Sequence, residues 1–160
     1  MDEKTTLGSE QLKQICASRH WQTLMADAAA QHDSTHWLQL ADRAFDQLTE
    51  ADWLEAFHGH PMIGNIDTLK KKYAHGRNLS EQEQGLVKLA AHDIVAELHE
   101  LNYVYLEKFG FIFIVCASGK TAAEMLALLK ARLPNSRDQE ILIAAQEQRK
   151  ISHIRMEAYL

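Results

Sequence analysis

Nine histidines give this chain many groups that can move protons near neutrality, and one is set apart by its neighbours. In Phe57-His58-Gly59-His60-Pro61-Met62-Ile63-Gly64, the ring of Pro61 disfavours helical geometry at His60, so a helix arriving from the N-terminal side must stop there. Gly59 and Gly64 leave room for close backbone approach on either side. The pattern predicts an imidazole presented at a rim, with an ordinary pKa of ~6.5 suited to general acid or base work. The competing reading is a polar histidine that merely ends a helix. His58 and His60, or His92 and His99, could also suggest metal. There is no HExxH pattern and no acid placed as an obvious third ligand, so no metal site is expected.

Two further ionisable residues stand out. Glu83 follows Ser80 by three positions, the spacing of a capping box, in which two side chains satisfy orphan amides at a helix start. Its angular position is nevertheless that of Leu86, Ala90, Ile94 and Leu101, so the same carboxylate can face a pocket, with Gln84 beside it. Arg155 falls within a stripe of Ile141, Ala144, Ala145, Gln148, Ser152 and Tyr159. An arginine there needs an anionic partner, either a structural carboxylate or a ligand.

One apparent motif is set aside. Phe111-Ile112-Phe113-Ile114-Val115-Cys116-Ala117-Ser118-Gly119-Lys120-Thr121 has the Gly-Lys-Thr end of a phosphate-binding loop, but position 114 is isoleucine where that loop needs glycine. The plainer reading is a helix start capped by Thr121.

These residues need helices to hold them. Ser9, Thr49, Ser80, Thr121 and Ser136 each precede an apolar-periodic stretch, and the last four are followed three residues later by Asp52, Glu83, Glu124 and Gln139. Helices are predicted from Ser80 to about Phe109, where Gly110 supplies a left-handed stop, from Thr121 to about Leu133, and from Ser136 to Tyr159. The first of these carries an apolar stripe of Leu86, Val87, Ala90, Ile94, Leu98, Leu101 and Tyr105. Residues 65–79 read as a basic, irregular connection. The segment around 111–117 is strand-like but has no partner strand, so it is expected extended and buried among helices. The fold class is all-α, one helical-bundle domain over residues 1–160.

Composition narrows the function. With 46% hydrophobic and 24% charged residues, the sequence is that of an ordinary globular protein. A net charge of −5 with interspersed signs argues against nucleic acid and anionic membrane as partners. Cys16 and Cys116 form neither a disulfide framework nor a ligand spacing and are expected as buried thiols. Acids near the start, where a leader has basic residues, lead to an expected cytoplasmic location.

Taken in order, five stretches resemble the 2-oxo-4-hydroxy-4-carboxy-5-ureidoimidazoline decarboxylase family, which forms allantoin in purine breakdown. They are His60-Pro61 with Ile63-Gly64; Ser80, Glu83 and Gln84; residues 108–120; Arg132 with Asn135; and the final stretch carrying Arg155. The resemblance implies an all-helical carboxy-lyase that uses no cofactor, acts on a small ureidoimidazoline and forms a homodimer. By position it implies His60 as catalytic acid or base. It implies Pro61, Glu83, Gln84 and Arg155 as substrate-binding residues, joined by backbone amides near Ile112 and Ile114. A cyclic-amide hydrolase using the same histidine, or a non-catalytic helical binding module, are the alternatives that these residues leave open.

Glu83→Gln separates that residue's two roles. Gln can still reach the Ser80 amide, whereas a ligand's amides lose one of two anionic acceptors. A near-native melting temperature with at least about tenfold lower catalytic efficiency is expected. Ser80→Ala should show the reverse, losing about 0.5–2 kcal/mol of stability. Normal turnover by Glu83→Gln would reduce Glu83 to a helix cap.

Overall fold

The computed structural model describes the backbone of residues 7–60 and 81–160, and the side chains of residues 7–60 and 93–160. Among these residues the chain is helical and contains no strand. The helices are α1 (Ser9–Ile15), α2 (Arg19–Gln31), α3 (Trp37–Phe45), α4 (Glu50–His58), α5 (Glu81–Phe109), α6 (Ala122–Arg132) and α7 (Arg137–Glu157). A short 3-10 turn, Ser34–His36, precedes α3. No helix among the described residues is long and apolar enough to cross a membrane. The chain divides into two compact units, residues 1–60 with 141–160, and residues 61–140.

The first unit is organised on stacked aromatic rings. Trp21 packs on Phe45 at 5.1 Å between centroids, Phe45 on Trp53 at 5.4 Å, and Trp53 on Phe57 at 6.2 Å. All four are buried, with Leu12, Ile15 and Met25 beside them in the apolar core. Arg149 of α7 lies over the Phe45 and Trp53 rings at 5.4 and 5.8 Å and pairs with Asp46 at 2.7 Å. Caps fix where the helices start. The Thr49–Asp52 box forms at α4, with aspartate in the place where glutamate or glutamine is usual. Two expectations needed correction. Ser9 is the first residue of α1 rather than its cap, because Gly8 occupies that position and no side chain caps the helix. The start of α2 is set by Ser18, whose hydroxyl accepts from the Trp21 amide.

In the second unit, α5 ends at Phe109 and Gly110 takes a φ of +81°, the expected left-handed stop. The Thr121–Glu124 box starts α6, and Ser136 with Gln139 makes the corresponding pair at α7. Residues 112–117 form neither helix nor strand, and Phe113, Ile114, Val115 and Cys116 are buried. The Gly-Lys-Thr stretch makes a turn instead of a phosphate cradle: Lys120 donates to the Cys116 carbonyl, and Thr121 caps α6. On α5 the buried face runs Val95, Leu98, Asn102, Tyr105 and Phe109, while Ile94 and Leu101 are only half-buried. Asn102 displaced the predicted stripe: its amide nitrogen donates to the Leu98 carbonyl, while its Oδ1 is buried without a partner among the described residues. The Ser80 cap and the connection at 65–79 lie outside the described residues.

A buried polar cluster holds the extended segment. Arg132 Nε donates to Glu140 Oε1 at 2.8 Å, and Arg132 Nη1 donates to the Ile114 carbonyl at 2.6 Å. Tyr105 Oη and Asn135 Nδ2 donate to the same carboxylate at 2.5 and 2.9 Å. Burial and the Glu140 contact both push the Tyr105 phenol well above its usual range, so it stays a donor. Removing one member strands the other's charge in a dry site. Arg132→Leu should therefore lower unfolding stability by about 3–5 kcal/mol. Arg132→Leu combined with Glu140→Leu should recover a large part of that loss, as read by denaturant melts.

Candidate functional site

α4 delivers His60 to its place. The helix ends at His58, Gly59 follows with φ −77° and ψ −7°, and the His60 amide donates back to the Phe57 carbonyl at 3.2 Å. That φ is open to any residue, so glycine is needed for space. A Cβ at position 59 would stand 2.3 Å from the Cβ of Ala17. The bare backbone lets the end of α4 come down on the turn between α1 and α2.

Three residues on one face of α7 meet this turn. Gln148, Ser152 and Arg155 are spaced four and three apart, so their side chains stack along one side of the helix. His60 Nε2 lies 2.5 Å from Gln148 Oε1. Gln148 Nε2 donates to Ser152 Oγ at 3.0 Å, and Ser152 Oγ donates to the Ile15 carbonyl at 3.1 Å. Arg155 Nη1 donates to the Gln14 and Ile15 carbonyls at 3.0 and 3.3 Å. Gln148 and Ser152 are fully buried, and His60 is half-buried.

His60 and Arg155 open onto a pocket of about 560 Å³, with Gln14, Ala17, Gly59 and Tyr159 among its walls. That volume suits a small ligand. Burial lowers the His60 pKa from 6.5, the Arg155 charge lowers it further, and the Gln148 hydrogen bond only partly opposes them, so the imidazole is neutral at pH 7. Cys16 is not a nucleophile here, since burial pushes its thiol up to about 12. Arg155 departs from expectation. Its residue is exposed rather than buried in the stripe, and among the described residues it pairs with no carboxylate. Two backbone carbonyls fix one guanidinium nitrogen, which leaves the remaining donors and the full charge for an anion.

Of the residues singled out in the sequence, His60 and Arg155 are brought together. Pro61 lies outside the described residues. Glu83 and Gln84 belong to the first turn of α5, with their side chains outside the described set. Ile112 is half-buried and Ile114 buried in the extended segment of the second unit, where the Ile114 carbonyl is held by Arg132. Gln148 and Ser152 received no role from the sequence. Their signal was present as two polar residues, four apart, inside an apolar stripe.

The sequence profile of OHCU decarboxylase matches residues 5–157. The chain belongs to the OHCU decarboxylase family. A uric acid degradation bifunctional protein of Arabidopsis thaliana is 40% identical over 152 residues, 94% of this chain and 46% of that protein. The 2-oxo-4-hydroxy-4-carboxy-5-ureidoimidazoline decarboxylase of Amia calva is 37% identical over 99 residues, 61% of this chain and 55% of that protein. This chain thus spans about half the length of these curated relatives. The crystal structure of OHCU decarboxylase in the presence of (S)-allantoin superposes with a TM-score of 0.76 at 35% identity, covering 96% of this chain and 99% of that one. The all-α architecture is therefore that of the family. A crystal structure of (S)-allantoin synthase, 17% identical, shares the fold with a TM-score of 0.68 over 95% of this chain and 49% of that one.

The lowered His60 pKa has a definite sign in stability. As pH falls through 6.5 the unfolded imidazole takes up a proton before the folded one does, so the His60 contribution is intact above 6.5 and is lost below it. An NMR titration of His60 should give a midpoint below 6.5, and His60→Asn should flatten the decline in stability on that acid side. A midpoint at or above 6.5 would contradict the burial described here.

Proposed function

We propose that this protein decarboxylates 2-oxo-4-hydroxy-4-carboxy-5-ureidoimidazoline to (S)-allantoin, as a cofactor-independent carboxy-lyase of urate breakdown. The observation that carries the reading is an imidazole on one small pocket with a guanidinium that pairs with no carboxylate among the described residues, in a chain of this family.

The chemistry fits those two groups. The substrate bears hydroxyl and carboxylate on one ring carbon, next to a carbon conjugated with nitrogen. Loss of carbon dioxide sends the bonding electron pair into that conjugated system, so the substrate is its own electron sink and needs no pyridoxal or thiamine. What remains for the protein is to orient the ring, stabilise the charge moving into it and handle a proton on one face. His60 is the proton-transfer residue in this reading, a role typically worth about 10²–10⁴-fold in rate. Arg155 contacts charge that persists or grows in the transition state, such as a ring oxygen. Gripping the departing carboxylate would stabilise the ground state equally and leave the rate unchanged. Pro61, Glu83, Gln84 and the backbone amides near Ile112 and Ile114 complete the substrate contacts. A cytoplasmic homodimer is the setting in which we expect the enzyme to act.

The decisive assay is carbon dioxide release from freshly generated imidazoline, which decays on its own. His60→Ala should lose about a hundredfold or more in turnover while the protein stays folded, its melting temperature lowered only by the loss of the bond to Gln148. Arg155→Lys keeps the charge but not the planar fork and should raise KM markedly. If turnover survives in His60→Ala, the histidine leaves the mechanism. If Arg155→Lys loses stability rather than affinity, its bonds to Gln14 and Ile15 are its whole role.

A further inference from the structure

The hydrogen bonds behind His60 run in one direction only, and a backbone carbonyl sets that direction. The Ile15 carbonyl can only accept, so the Ser152 hydroxyl proton at 3.1 Å is committed to it. Ser152 Oγ then has only lone pairs to offer Gln148 at 3.0 Å, so the amide nitrogen of Gln148 must face Ser152. That turns the amide oxygen of Gln148 towards His60 Nε2 at 2.5 Å. Two acceptors cannot face each other at that distance, so Nε2 carries the imidazole proton. The reverse arrangement would set Ser152 Oγ against the Ile15 carbonyl as two acceptors. With Nε2 committed, Nδ1 has no protein partner among the described residues and keeps its lone pair.

We propose that Gln148, oriented by Ser152, is a positioning residue that fixes His60 as the Nε2–H tautomer and makes Nδ1 the atom that meets the substrate. The inference rests on His60 as the proton-transfer residue, and it assigns which nitrogen performs the transfer. Gln148 is fully buried and far in sequence from His60, and all its polar atoms are used in this relay. It has no direct contact with the pocket.

The tautomer is readable without substrate, by long-range proton–nitrogen correlation spectra of nitrogen-15-labelled protein above pH 7.5, with His60→Asn giving the assignment. The parent should show Nε2 protonated and Nδ1 bare. Gln148→Leu removes the acceptor and should release a mixture of tautomers. Its kcat should fall about tenfold or more with KM little changed, since the pocket wall is untouched. Ser152→Ala removes only the group that orients the amide and should give mixed tautomers by an independent route, which covers the case of Gln148→Leu failing to fold. A parent protein protonated at Nδ1, or tautomers unmoved in both variants, overturns the proposal. So does a kcat that stays at the parent level once the tautomer is lost. The spectra hold or fail whatever the turnover of His60→Ala, so failure here is distinct from failure of the decarboxylase reading.

Discussion

One backbone carbonyl carries the geometry of the site. Ile15 ends α1, where the last carbonyls of a helix have no intrahelical partner and attract donors. Two donors from α7, the Ser152 hydroxyl and the Arg155 guanidinium, converge on it. Both are spaced so that one face of α7 can reach the same point. Arg155 is thereby aimed without a carboxylate among the described residues, which would have consumed its charge. Among the described residues the imidazole is held through Gln148 and not by an acid, which would have raised its pKa. A structure that used ion pairs for the same positioning would have had a less available guanidinium and a more readily charged histidine.

The second unit solves a related problem by opposite means. Its extended segment cannot satisfy its carbonyls in a sheet, because no strand accompanies it among the described residues. Arg132 fills that gap at Ile114, and Glu140, Tyr105 and Asn135 satisfy the charge that this brings into the interior. Here a full ion pair is affordable in the chemical sense, since nothing in the cluster has to remain reactive. The contrast explains why one arginine is buried and fully bonded while another is left half-committed at a pocket.

Local signals made much of this legible. Capping residues stand within three positions of the amides they satisfy, so Thr49, Thr121 and Ser136 could be read directly, as could the glycine stop at 110. The break at His60 follows from the ring of Pro61 and needs no tertiary information. The face of α5 was read with less success, because a periodicity of apolar residues cannot register a buried asparagine that bonds within its own helix. Arg155 was placed on the correct side of α7 but at the wrong depth. Its acceptors are main-chain carbonyls, and these carry no mark in a sequence. Gln148 was invisible as a partner for the same kind of reason: its bond to His60 spans 88 positions, and only the fold makes it local.

The contact between Gly59 and Ala17 reaches further than the two residues. With 2.3 Å between an added Cβ at 59 and the methyl group at 17, position 59 cannot grow while 17 stays as it is. The two sites share a fixed volume, so substitutions there are epistatic: an enlargement at 59 becomes tolerable only after a reduction at 17. Across divergent homologues this should appear as covariation in side-chain size between two positions that are 42 apart in sequence. Directed evolution of the pocket would meet the same barrier, since the single-step neighbours of this sequence at position 59 all lead uphill.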